Sequence, residues 1–376
     1  MTQTNAFRDP SSVNQLIKCI QIESAPIAER LGRPLQIMEV CGGHTHAIVN
    51  TGLNQLLPSS IELIHGPGCP VCVLPTQAID QAVSLAENSN HILVSFGDPL
   101  RVPGSQHSLL DAKANGAHIQ TLYSPLDALK LAKRNPNKTI IFFAIGFDTT
   151  IPSTGCTLQI AAQQGITNFR VLCHHICLIP VLTTLLERQE IQLDGFLGPG
   201  HVSMVIGAKA YASIAEKYHK PLVIAGFEPV DILHAMYLLI KQLSTQQHTI
   251  QNAYSRVVSE EGNKAAQQCI QDVFISGIDA EWRGLDLVPG SGLSIRPKYQ
   301  PHDALPLLNT QHIASNNTDP VFCKQVLTGS LKPHHCPWFG TRCTPHHPQS
   351  GLMVSSEGAC AAYYASHAKT AVGTTS

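Results

Sequence analysis

TIIFFAIG, residues 139–146, reads as a strand buried on both faces. It is apolar along nearly its whole length, rich in β-branched and aromatic residues, and ends in glycine. A strand with one wet face alternates apolar with polar residues, whereas a strand in a parallel sheet covered by helices does not. Similar runs lie on either side. PLQIMEV (34–40), IELIHG (61–66), HILVSFG (91–97) and HIQTLYS (118–124) precede it. NFRVLCHH (168–175), LDGFLGPG (193–200) and PLVIAGF (221–227) follow. Helical patterns such as DALKLAKRN (127–135) and SMVIGAKAYASIAEKY (203–218) separate them. The alternation predicts an α/β protein with two Rossmann-like parallel-sheet domains, residues 34–135 and 136–230. Residues 1–33 and 231–376 are expected to form a third domain of helices and loops. In it, helices are predicted over PVDILHAMYLLIKQL (229–243) and EEGNKAAQQCIQDVF (260–274), with a Gly/Pro-rich region from Trp282 onward.

Polar and reactive residues follow the strands. Cys41, Cys69, Asp98, Asp148, His201 and Glu228 each come just after a predicted strand. In open α/β sheets ligands bind at that edge. Taken singly, Asp148 and Glu228 also suit helix N-termini, and Pro229 at the first helical position strengthens that reading for Glu228. Together these residues predict a polar cleft.

The cysteines carry the chemistry. Cys323, Cys336, Cys343 and Cys360 lie in a tail broken by Pro and Gly, which needs a cross-link to hold it. The intervals of 12, 6 and 16 residues contain no paired C-x2–4-C knuckle, so they suit an iron–sulfur cubane better than structural zinc, which stays open. Cys69-Pro70-Val71-Cys72, reached through Gly66-Pro67-Gly68, suits a reversible thiol pair, with a zinc half-site as the alternative. Cys41-Gly42-Gly43-His44-Thr45-His46 places one thiol where a partner can approach closely, with His44 and His46 able to tune it or share a metal. The alternative is a buried cysteine in a tight turn. Cys19 and Cys269 read as small core residues of amphipathic helices, and Cys173 with Cys177 as the end of a strand.

Bulk properties exclude other classes. With a formal net charge of −1 and 14% charged residues, nothing favours nucleic acid or an anionic membrane. The N-terminus MTQTNAFRDPSSVNQ has neither a basic nor an apolar signal segment, so a cytoplasmic location is expected. There the 12 cysteines are expected to be thiols, ligands or catalytic groups. Neither a P-loop nor a G-x-G-x-x-G string is present.

From residue 10 to residue 366 the chain resembles the HypD family of hydrogenase maturation factors. The resemblance rests on MEVCGGHTH (38–46), HGPGCPVC (65–72), FGDPLRVPGS (96–105), GFDTTIPST (146–154), FLGPGHVS (196–203), GFEPVDIL (226–233), YSRVVSEEGN (254–263), WRGL (282–285) and MVSSEGAC (353–360). It implies two α/β domains plus a domain with a [4Fe–4S] cluster held by Cys323, Cys336, Cys343 and Cys360. It implies a scaffold that assembles the Fe(CN)2CO unit of [NiFe]-hydrogenases with a HypC chaperone, receiving cyanide from a HypE thiocarboxamide. Cys41 then matches the iron-holding cysteine, with His44 beside it, and Cys69 with Cys72 the thiol pair that communicates with the cluster. The chain departs from many relatives at Leu352, where they carry Cys, and at Asp148, where they carry Glu. The competing reading is a stand-alone iron–sulfur thiol–disulfide oxidoreductase.

Overall fold

The computed structural model describes residues 3–188, 192–308 and 320–373. Its strands are β1 (Leu35–Glu39), β2 (Ile61–His65), β3 (His91–Ser95), β4 (Ile119–Thr121), β5 (Thr139–Gly146), β6 (Phe169–His175), β7 (Gly195–Pro199), β8 (Leu222–Ala225), β9 (Ile250–Asn252), β10 (Phe274–Trp282) and β11 (Asp286–Ile295). β5 is buried along its length except at Thr139, as its composition predicts. Phe142 and Phe143 point to opposite faces and are both fully buried, contributing roughly 2–3 kcal/mol each.

Every strand of the α/β core pairs in parallel. The pairing differs from the expected grouping. One sheet has the order β2-β1-β7-β8-β9 and the other β4-β3-β5-β6. The chain thus starts the first sheet, builds all of the second, and returns to finish the first. β3 and β4, expected beside β1 and β2, join β5 and β6 instead. Strands inside an insertion and strands flanking it carry the same doubly buried pattern, so periodicity does not record the partner.

The interleaving creates two switch points. β1 runs outward to β2, and the returning β7 lies on the other side of β1, with Glu39 paired to Leu197. Likewise β3 is flanked by β4 and β5. Crevices open at such points beyond the strand C-termini. Cys41 and His201 leave the first switch point, Asp98 and Asp148 the second.

The remaining segments do not separate into a third body around the tail. Helix Pro10–Leu31 packs on helix Pro229–Ser244, and both share an apolar core with the outer face of the first sheet. Cys323, Cys343 and Cys360 lie instead in a central core with Met38, Phe143, Trp282 and Leu285, which joins both sheets to the tail. An unanticipated antiparallel hairpin, β10–β11, leads into the Gly/Pro-rich region, with register irregularities between Ser276 and Ala280. Trp282 near its turn is buried and donates its indole N–H to Ser291 Oγ at 2.8 Å. No helix among the described residues is long and apolar enough to cross a membrane.

Candidate functional site

Cys41 ends the crossing from β1 into helix Gly42–Thr51. It sits at the N-cap with extended backbone, its carbonyl accepting from the His44 and Thr45 N–H groups at 2.9 and 3.1 Å. Its own N–H donates to Glu39 Oε2 at 3.0 Å. Glu39 is fully buried, and its other oxygen accepts from Thr45 Oγ1 and pairs with His65 Nδ1, 2.7 Å away. His65 Nε2 in turn lies 3.1 Å from the Tyr363 hydroxyl. Burial pushes the Glu39 carboxyl up, opposed by His65, Thr45 and the Cys41 N–H. Burial, then the nearby Glu39 charge, pushes the Cys41 thiol well up.

Three side chains meet at this switch point. His201, in the first turn of helix Gly200–Ile206, brings Nδ1 to 3.5 Å from Cys41 Sγ. His44 is fully buried, with Nε2 3.0 Å from the Gly226 carbonyl and 3.3 Å from that of Ala225. Both partners are acceptors, so Nε2 carries the proton and Nδ1 holds a lone pair. That Nδ1 is buried and has no hydrogen-bond partner. Burial, then the neighbouring His201, lowers the His44 pKa to about 4, and burial lowers that of His201 to about 4. Both rings are therefore neutral at physiological pH and lie against Phe227, at centroid distances of 4.9 and 5.4 Å. His201 was legible only as one polar residue after a strand. Its approach to Cys41 depends on β7 lying beside β1, which sequence does not reveal. His46 points elsewhere, with Nδ1 2.9 Å from the Ser356 carbonyl of the tail.

The thiol pair is adjacent. Cys69 and Cys72 are joined by a disulfide, with Cα atoms 5.2 Å apart. The loop that carries them is locked to the Cys41 segment, because Gly42 N–H donates to the Gly68 carbonyl at 3.1 Å. Gly68 has no room for a side chain, since a Cβ there would stand 2.2 Å from Cys41 N. On its far side the loop meets the tail, where Cys72 Sγ lies 3.7 Å from the Gly351 carbonyl. Arg283, buried in the WRGL turn, fastens the end of the loop. Its N–H donates to Val73 O at 2.7 Å and its Nε to Leu74 O at 2.8 Å.

The tail cysteines surround one region. Cys323 lies on helix Val321–Leu327, Cys336 follows a 3-10 turn, Cys343 lies in a turn closed onto Trp338, and Cys360 sits near the start of helix Ala359–Gly373. All four are free thiols, and three are buried. Burial pushes Cys360 well up, and Cys323, Cys343 and Cys336 add to the shift, which places all four within electrostatic reach of one another. Burial also raises Cys323, to about 11. Among the described residues no three His, Cys, Asp or Glu side chains converge tightly enough to hold a single metal ion.

The other cleft residues each make a contact within the fold. Asp148 accepts from Leu178 N–H at 3.1 Å, capping the helix Leu178–Glu187 rather than its own. Glu228 occupies an N-cap position but makes no side-chain cap bond; it pairs with Arg8. Arg101 bridges Asp98 and the Val354 carbonyl, both at 3.0 Å, tying the second sheet to the tail. Cys173 is a half-buried thiol pushed up to about 12 by desolvation.

Comparison with known proteins identifies the family. The HypD family model, described as "Hydrogenase formation hypA family", matches residues 12–367. The protein named hydrogenase maturation factor HypD of Escherichia coli K12 is 49% identical over 364 residues, covering 97% of this chain and 98% of that protein. Its namesake from Rhodobacter capsulatus is 47% identical over 372 residues, with 97% and 98% covered. That of Cupriavidus necator is 41% identical over 371 residues, covering 97% of each. With the family model and these relatives spanning nearly its whole length, the chain belongs to the HypD family.

Proposed function

We propose that this protein is a hydrogenase maturation factor, a scaffold on which the Fe(CN)2CO unit of [NiFe]-hydrogenases is assembled. Its relatives from E. coli and R. capsulatus carry the name hydrogenase maturation factor. One observation carries the reading. Cys41 Sγ and His201 Nδ1 meet at 3.5 Å, beside a His44 whose Nδ1 is buried and unpartnered, at a sheet switch point. Thiolate is a soft donor, suited to iron(II) that carries cyanide and CO. Cys41 holds the iron cargo jointly with a cysteine of a HypC-type chaperone. A HypE-type donor visits transiently to deliver cyanide. His44, fixed through its Nε2–H, orients the cargo or accepts a proton at Nδ1.

The tail donor set fits a [4Fe–4S] cluster. Four free cysteines around one apolar region are the ligand complement of such a cluster. Each thiolate of a cubane binds a different iron, so the four need not converge as the ligands of one zinc ion must. When bound, the cluster supplies electrons singly. Cys69 and Cys72 supply a pair. As the dithiol is oxidised to the disulfide it gives up two electrons and two protons, the two electrons that reductive release of one cyanide needs. Thiol trapping across a redox titration is expected to show both sulfurs changing together as one two-electron couple. Equal alkylation of both at every potential would remove the redox role.

Infrared spectroscopy of the anaerobic full-length protein, purified with its HypC-type chaperone, tests the function. Bands of bound cyanide and CO are expected, together with about four irons and matching sulfide in the tail site. A protein with cluster and redox-active dithiol but no such bands would be a thiol–disulfide oxidoreductase. That alternative leaves the Cys41, His44 and His201 cluster without a task.

A further inference from the structure

Helix Ile151–Gln163, which follows β5, packs against helix Lys264–Val273, which follows β9. At their contact Cys156 Sγ lies 3.4 Å from Cys269 Sγ. Neither is bonded, Cys156 is exposed and Cys269 is buried. Cys269 Sγ is held in place, 3.5 Å from the Pro152 carbonyl. Gly155 leaves space for it, because a Cβ there would stand 2.9 Å from that sulfur. Both cysteines lie outside the Cys41, Cys69/Cys72 and tail groups. One sulfur open to solvent and a second behind it is the layout of an attacking and a resolving thiol.

We propose that Cys156 and Cys269 form a second thiol–disulfide site, oxidised reversibly by small organic disulfides. The exposed Cys156 thiolate attacks one sulfur of the small disulfide, forming a mixed disulfide and releasing one thiolate. Cys269, as thiolate, then attacks the Cys156 sulfur, forming the protein disulfide and releasing the second. Two protein thiols lose two protons and two electrons, and one small disulfide becomes two thiols. Bonding closes the sulfurs from 3.4 Å to about 2.05 Å. The link would tie a helix of the second sheet to a helix beyond the last strand of the first. The closed segment includes β7 and His201, so the site stands where it can register the redox poise of its surroundings.

The test uses the full-length protein, prepared anaerobically and titrated with oxidised glutathione, then quenched in acid, alkylated and mapped by mass spectrometry. A linked peptide containing Cys156 and Cys269 is expected, lost on treatment with dithiothreitol. Cys156→Ser should abolish that peptide and leave the Cys69–Cys72 link intact. Because the wild-type map alone decides, a poorly folded variant would not obscure the result. The proposal is overturned if Cys156 is recovered only as a glutathione adduct with Cys269 alkylatable. It is equally overturned if both remain free at poises that fully oxidise Cys69 and Cys72. Neither outcome bears on the maturation role.

Discussion

Cys41→Ser is expected to lose all infrared bands of iron-bound cyanide and CO while keeping the fold and the tail cluster. The fold should survive because the Cys41 side chain makes no capping bond at the start of helix Gly42–Thr51. The contacts that hold the turn are backbone ones, to Glu39, His44 and Thr45, and serine keeps them. Serine is also a preferred N-cap, so its hydroxyl can add a bond to the first turn, and stability should stay within about 1 kcal/mol of wild type. The site itself changes in kind. A hydroxyl is a harder and far weaker donor for low-spin iron than a thiolate. His44 and His201 would remain, with their pKa values of about 4, so they would still offer neutral nitrogen donors. If nitrogen donors sufficed, the variant would keep its bands. Thermal melting, iron content and infrared spectra on one preparation separate the cases. Bands at wild-type intensity would move the iron away from Cys41. Loss of both bands and melting temperature would point to a structural role for the sulfur.

The sequence marked strands β1–β8 but not which of them would pair. β5, β7 and β8 are apolar throughout because both faces are covered, and such runs announce themselves. The polar residues after them do lie beyond the strand C-termini. The insertion of β3–β6 into the first sheet left no local trace, because a crossover into a new sheet and one within a sheet use the same loops and helices. For that reason His201 did not stand out beside Cys41. The β10–β11 hairpin was hidden by Gly277, Pro289, Gly290 and Gly292, which break any regular pattern. Its stability comes from tertiary contacts, such as Trp282 in the central core. The tail cysteines were legible by number and type. That Cys323, Cys343 and Cys360 pack in the same core as Cys69 and Cys72 depends on the loop contact at Gly351, which is not a local property.

That junction supplies the second large effect. Gly68→Ala is expected to destabilise the protein by roughly 3 kcal/mol and to disable iron assembly without touching any cysteine. The added methyl group would stand 2.2 Å from Cys41 N, 2.3 Å from Val40 C and 2.4 Å from Cys41 Cα. These are backbone atoms, so no side chain can swing aside to relieve the clash. The end of β1 is held by its parallel ladders to β2 and β7 and by the buried Glu39 carboxylate. The loop of residues 66–72 is held by the Gly42 N–H and, beyond Cys72, by Arg283. One side must yield, and either movement separates Cys41 from the thiol pair. Gly97→Ala serves as the control. It adds the same methyl group at a helical backbone position, φ −67° and ψ −43°, where nothing lies within 4 Å of the new atom. There the substitution should be neutral or stabilise by up to about 1 kcal/mol, because it restricts the unfolded chain. Thermal melting and infrared spectra of the two variants, prepared side by side, distinguish a packing effect from a general loss of glycine. If Gly68→Ala melts with the wild type and keeps its bands, the Cys41 and Cys69 loops are not in contact, and the close coupling of iron site and dithiol must be abandoned.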